Sequence, residues 1–212
     1  MILITDIQEK ATVQRVKQAY SMLSQAYGMI LKDEGSPDEW GMQGMYDDIS
    51  HKILAKKFIP YMKVQTDCTD MTSAEAIKNC YRNLNTQTHS AFKTINGLVF
   101  QFRAWNKNCS STYGKVKNVC GHINVDINGN KNPNVMGRDL FDFYFTKDEI
   151  YPIGTNGDYI SFYKYCTNTK KFGSAYDSYV NGMGCTAWVI YNENMDYLRC
   201  SDLSWGGKRE CK

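Results

Sequence analysis

"TDIQEKATVQRVKQAYSMLSQAYGMILK", Thr5 to Lys32, carries one unbroken period. Val13, Val16, Tyr20, Leu23, Tyr27 and Ile30 recur at spacings of 3, 4, 3, 4 and 3, which is one apolar seam on an α-helix. Gln14, Arg15, Lys17, Gln18, Ser21 and Gln25 fill the solvated face, while Ala19 and Ala26 widen the seam. Gly35 ends the element and Pro37 prevents its return, so residues 1–35 form an N-terminal helix. The seam spans under three heptads, so it reads first as a core stripe and second as a coiled-coil dimer contact.

Further along, Ser36-Pro37-Asp38-Glu39 offers a capping box for a second helix running to Pro60, with a break near Gly41 or Gly44. A third helix opens at Thr72 with Glu75 and turns Ala76, Ile77 and Cys80 inward. Residues 36–90 thus read as a helical insertion. After Ser90 the period becomes 2. "AFKTINGLVFQFRAW", Ala91 to Trp105, alternates on both sides of Asn96-Gly97, which predicts a hairpin with a type I′ turn. Further strands are expected at Val119–Ile127, Leu140–Phe145, Ile150–Ile153 and Tyr159–Tyr165. At the end, "CTAWVIYN" reads as a short helix closed by a left-handed Asn194, with Trp188, Tyr191 and Met195 on one face and "MDYLRC" as a final strand. Val189 and Ile190 keep an all-strand reading open. The expected fold is α+β: a long N-terminal helix packed on an antiparallel β-sheet in a single domain over 1–212, with sheet and C-terminal flap in 91–212.

Hydrophobic residues make up 42% and charged residues 22% of the 212, the balance of a chain with a core to bury rather than a disordered one. The net charge of +3 selects no anionic partner. Eight cysteines, Cys68, Cys80, Cys109, Cys120, Cys166, Cys185, Cys200 and Cys211, form no C-x-x-C pair, which weakens zinc-knuckle and thioredoxin-like readings. An even set at loop-sized intervals fits disulfides in an oxidising, extracytoplasmic compartment; free buried thiols in a cytosolic protein are the alternative. Eight cysteines allow 105 connectivities, and pairing of sequence neighbours is the simplest. Export calls for a targeting or membrane segment, which this reading places upstream of Ile2.

Chemistry is sparse. Three histidines, His51, His89 and His122, are scattered, and no glycine-rich phosphate loop, G-x-S-x-G or H-E-x-x-H occurs. No enzyme is expected and no cofactor is required. "VDINGNKNPNVMGRD", Val125 to Asp139, spaces Asp126, Asn128, Asn130 and Asn132 like half a calcium loop, with Asp139 as a second carboxylate. Lys131 stands where such a loop needs glycine and Gly137 where it needs glutamate, so an Asn128-Gly129 turn in an Asx-rich loop is the competing and favoured reading. Basic clusters at Lys10/Arg15/Lys17, Lys56/Lys57 and Lys208/Arg209 are interspersed with acids, which argues for solvated surface and against a nucleic-acid partner.

Three stretches together, "DIQEKATVQRVKQAYSMLSQAYGMI", "VDINGNKNPNVMGRDLFDFYF" and "GCTAWVIYNENMDYLRC", resemble the soluble parts of type IV pilin-like proteins, including type II secretion pseudopilins. The resemblance implies an inner-membrane anchor preceding Ile2, a helix over about Thr5–Lys32 lying on an antiparallel sheet, and a C-terminal flap held by a disulfide. It implies filament assembly with other pilin or pseudopilin subunits at the cell surface or in the periplasm, without catalysis. Some relatives bind calcium in a loop, which directs attention to Asp126 and Asp139. The alternative is a cell-surface binding module, adhesin-like or DNA-capturing.

Overall fold

Helix α1 (Ile2–Glu34) ends where Gly35 takes a φ of 73°, a left-handed conformation that glycine adopts without a Cβ penalty. In this computed structural model, which describes residues 2–80, 88–166 and 181–211, α1 lies against one face of a seven-stranded antiparallel sheet. Val13, Val16, Ala19, Leu23, Ala26, Tyr27 and Ile30 are buried in a common core with Phe92, Phe100, Phe102, Ile123, Val125, Phe141, Phe143 and Phe145 of the sheet. Tyr20 is partly buried and stacks on Phe143, with ring centroids 5.7 Å apart. The seam therefore packs on the sheet within the chain. Each fully buried side chain of this size removes about 1.5–3 kcal/mol worth of apolar surface from water.

The helical insertion holds two helices and, against expectation, a strand. Helix α2 (Asp48–Phe58) is capped by Asp47, whose carboxylate accepts from the Ser50 N–H at 2.9 Å. Ser36 caps nothing: its hydroxyl donates to Asp38, and Pro37–Glu39 makes only a 3-10 turn. The expected break falls at Gly41 and Gly44, both at positive φ, and Gly44 bridges to Asn106. Strand β1 (Val64–Asp67) escaped notice because VQTD is polar and lies at the sheet edge. Helix α3 (Ser73–Asn79) carries the full Thr72/Glu75 capping box. Ala76 and Cys80 point inward, but Ile77 is 37% exposed.

Strands β2 (Ser90–Thr94) and β3 (Val99–Ala104) form the expected hairpin with a different turn. Gly97 N–H donates to Thr94 O and Thr94 N–H to Leu98 O, and Gly97 alone of the turn residues has positive φ. This is a three-residue loop ending in a left-handed glycine, not a type I′ turn. Strand β4 (Ser111–Tyr113) continues the place of β3 beside the long β5 (Val116–Asp126), followed by β6 (Leu140–Thr146) and β7 (Ile150–Pro152). The order is β1-β2-β3-β5-β6-β7, with β4 also paired to β5.

Two expected strands are helical. Asp158 accepts from the Gly154 and Ile160 N–H groups, turning the chain into the short helix α4 (Phe162–Tyr165), whose Phe162 stacks on Trp188 at 4.0 Å. "MDYLRC" forms a 3-10 turn over Asp196–Leu198. Helix α5 (Thr186–Asn192) forms as read, but Glu193, not Asn194, takes the left-handed position (φ 55°). Tyr191 is 54% exposed and does not share the buried face of Trp188 and Met195.

Candidate functional site

The cysteines pair with their sequence neighbours: Cys68–Cys80, Cys109–Cys120, Cys166–Cys185 and Cys200–Cys211, and none is free. Four disulfides fit an oxidising, extracytoplasmic environment. Among the described residues no helix is long and apolar enough to cross a membrane. A bonded sulfur has no thiolate to offer as a nucleophile.

Three polar arrangements position the rest. The first joins helix to sheet. Arg15, read as part of the solvated face, donates from Nε to Ile127 O at 2.5 Å and from its terminal nitrogen to Asn96 O at 3.0 Å. It thereby clamps α1 to two turns at the same end of the sheet. Tyr27, in the apolar seam, also donates its hydroxyl to Thr146 O, and burial pushes its ionisation far upward, with the charges of Asp148 and Asp38 adding to the effect. The spacing that found the seam carries no sign of either bond.

The second is the loop between β5 and β6. Asp139 accepts from the Val135 N–H at 2.6 Å, the Asn134 N–H at 2.8 Å and Asn128 Nδ2 at 3.0 Å. Asp126 accepts from the Asn128 N–H at 2.9 Å. Desolvation, reinforced by the neighbouring charge of Asp139, lifts the Asp126 carboxyl to about 7. Asp126 Oδ2 and Asn128 Oδ1 are buried without partners. Calcium takes six to eight oxygens. The Asp139 oxygens already hold three N–H groups, and no group of three or more His, Cys, Asp or Glu residues suited to a metal occurs among the described residues. Through these bonds Asp139 anchors the turn of the Asx-rich loop.

The third holds the C-terminal flap. Asp196 receives the Cys211 N–H at 2.5 Å and pairs with Arg199, which also reaches Glu9 of α1 at 2.5 Å. Asn194 accepts from the Trp188 indole at 3.0 Å and donates to Arg209 O at 3.0 Å. Tyr197 donates to Gly137 O at 2.7 Å, tying flap to loop. Lys17 pairs with Glu193. The flap thus sits beside the N-terminal half of α1.

The three histidines, distant in sequence, come together in a row, with ring centroids 6.4 Å apart for His51/His89 and 6.2 Å for His89/His122. Comparison of the chain with family models, with curated proteins and with solved structures finds no match.

Proposed function

We propose that the protein is a non-enzymatic structural subunit of a type IV pilus or type II secretion pseudopilus-like filament, assembling through α1 with other pilin or pseudopilin subunits. One observation carries this reading. The first buried side chain of α1 among those described is Val13, so about 16 Å of helix precedes the packed seam, at 1.5 Å per residue. Ile7 on that stretch is 62% exposed. A rod held by a clasped sheet at one end and apolar at the other is suited to contact a different patch on a neighbour, and such head-to-tail contacts extend into open filaments. The test uses Ile7→Asp in the native host. The variant is expected to keep its melting temperature and to disappear from filaments sheared off the cell surface, followed with an antibody to this chain. Undiminished recovery in that fraction would refute assembly through α1.

A second reading, a cell-surface binding module, draws on Tyr46 and Tyr163, which are 93% and 82% exposed. If its ligand were DNA, affinity would fall steeply with salt as phosphate contacts release counterions.

A further inference from the structure

The sheet face away from α1 carries a row that the antiparallel register builds: Arg103 of β3 lies opposite His122 of β5, and His122 opposite Tyr144 of β6. Residues directly opposite share a face, with Cβ atoms about 5 Å apart. Their neighbours Phe102, Ile123 and Phe143 point the other way, into the α1 core.

Arg103 is anomalous in this row. It is half-buried, makes no hydrogen bond or ion pair among the described residues, and its Nε is buried without a partner. A guanidinium brings five donors and a fixed charge, and leaving a charged donor buried and unmade is costly. Burial disfavours its charged form, and the Tyr46 phenol offsets this in part. Among the described residues no carboxylate pairs with it.

Next along the row, Tyr144 donates to the Asp158 carboxylate at 3.2 Å, and Asp142, opposite Asn124, accepts from Asn124 Nδ2; around His122 itself the charged groups are basic. His122 has its charged form suppressed first by burial, then by the charges of His89, Arg103 and His51. The Trp105 ring meets His122 edge-on at 5.1 Å. His51 is held as a neutral wall: Nε2 pairs with Met45 O at 3.1 Å and Nδ1 with the Ala104 N–H at 3.0 Å, so the first must donate and the second accept. Asp47 and Asp48, at the start of α2, act on His51, and Asp47 is committed to Ser50.

We propose that Arg103 and His122 form a binding site for an oxyanion, the carboxylate or phosphate group of a small ligand, with Trp105 as its aromatic wall. A guanidinium fork matches either group in bidentate fashion. Bound anion also favours imidazolium, so by linkage the site binds more tightly as pH falls. The proposal is independent of filament assembly.

The test titrates the whole protein with inorganic phosphate and, separately, with acetate, at constant ionic strength and at about pH 6 and about pH 8. It reads the melting temperature and the NMR resonances of the His122 ring. At an anion concentration about ten times Kd, the expected rise is ~3 to 6 °C. The His122 resonances move with it, and the response is larger at the lower pH. Response to phosphate alone assigns a phosphate ligand; response to both assigns an oxyanion in general; response to acetate alone assigns a carboxylate. Arg103→Gln, which removes an unpaired charge, is expected to fold and to lose the response; His122→Asn, expected to weaken it, serves if Arg103→Gln does not fold. Static His122 resonances with both anions, or an Arg103→Gln response equal to that of the natural protein, overturns the site.

Discussion

Two aspartates show how burial assigns work to a carboxyl group. Asp142 of β6 is buried, accepts from Asn124 Nδ2 at 2.9 Å, and desolvation lifts it to about 7. A carboxyl raised in the folded state binds more protons than the unfolded chain between its two values. Its stabilising contribution is therefore full below about pH 4 and is lost as pH rises toward 7. His51, lowered to about 4 mainly by burial, has the opposite slope: stability rises as pH climbs from about 4 to 6.5. Asp142→Asn keeps an oxygen for Asn124 and cannot ionise. Thermal melts are expected to show it gaining about 2 kcal/mol, or ~4 to 8 °C, over the natural protein on going from pH 4 to pH 8. A gap that does not change with pH would rule out the buried acid. At Asp139 the expectation is a loss: Asp139→Ala strands three N–H groups and should cost about 2–4 kcal/mol, while a calcium chelator leaves the melting temperature of the natural protein unchanged. A chelator-induced drop would restore the cation reading.

Elements with strong periodicity were legible, and short ones governed by side-chain traps were not. The seam of α1 follows from spacing alone, because a 33-residue helix repeats its pattern often enough to outweigh local noise. The Thr72/Glu75 box was legible for another reason, since both of its bonds are local. Residues 159–165 alternate like a strand, yet Asp158 gathers the Gly154 and Ile160 N–H groups into a turn that leads into α4. The closing turn depends on Asp196 reaching Cys211, fifteen residues away, a pairing that no window of sequence shows. The same hub gives a prediction. Replacing Cys200 and Cys211 with serine removes a staple worth about 3 kcal/mol in the chain-entropy model. Limited trypsin digestion should then cut at Arg199, Lys208 and Arg209 while the sheet stays intact. Resistance equal to that of the natural protein would mean that Asp196 and Asn194 hold the flap without the staple.

Across the whole molecule, the α+β arrangement was readable, with a long helix first and most of the sheet after it, although β1 lies inside the stretch read as helical. What the sequence hid was the pairing of strands. Arg103 and His122 are nineteen residues apart, and only the β3/β5 register places them side by side. Arg15 was likewise read as solvated, because the two carbonyls it clamps belong to turns more than eighty residues downstream. Helix placement follows from a stripe, whereas a cross-strand site follows from register, which one residue of slip would abolish.

All four disulfides join cysteines 11 to 19 residues apart, and none of them includes a residue of α1. Each bond can close within a single stretch of chain as that stretch crosses a membrane, without waiting for distant segments. The rod, by contrast, is held to its platform by packing, by hydrogen bonds such as those of Arg15, Tyr27 and Tyr61, and by ion pairs, with no disulfide of its own. Oxidation can therefore lock the platform on its own, and no covalent bond beyond the chain itself ties the rod to it.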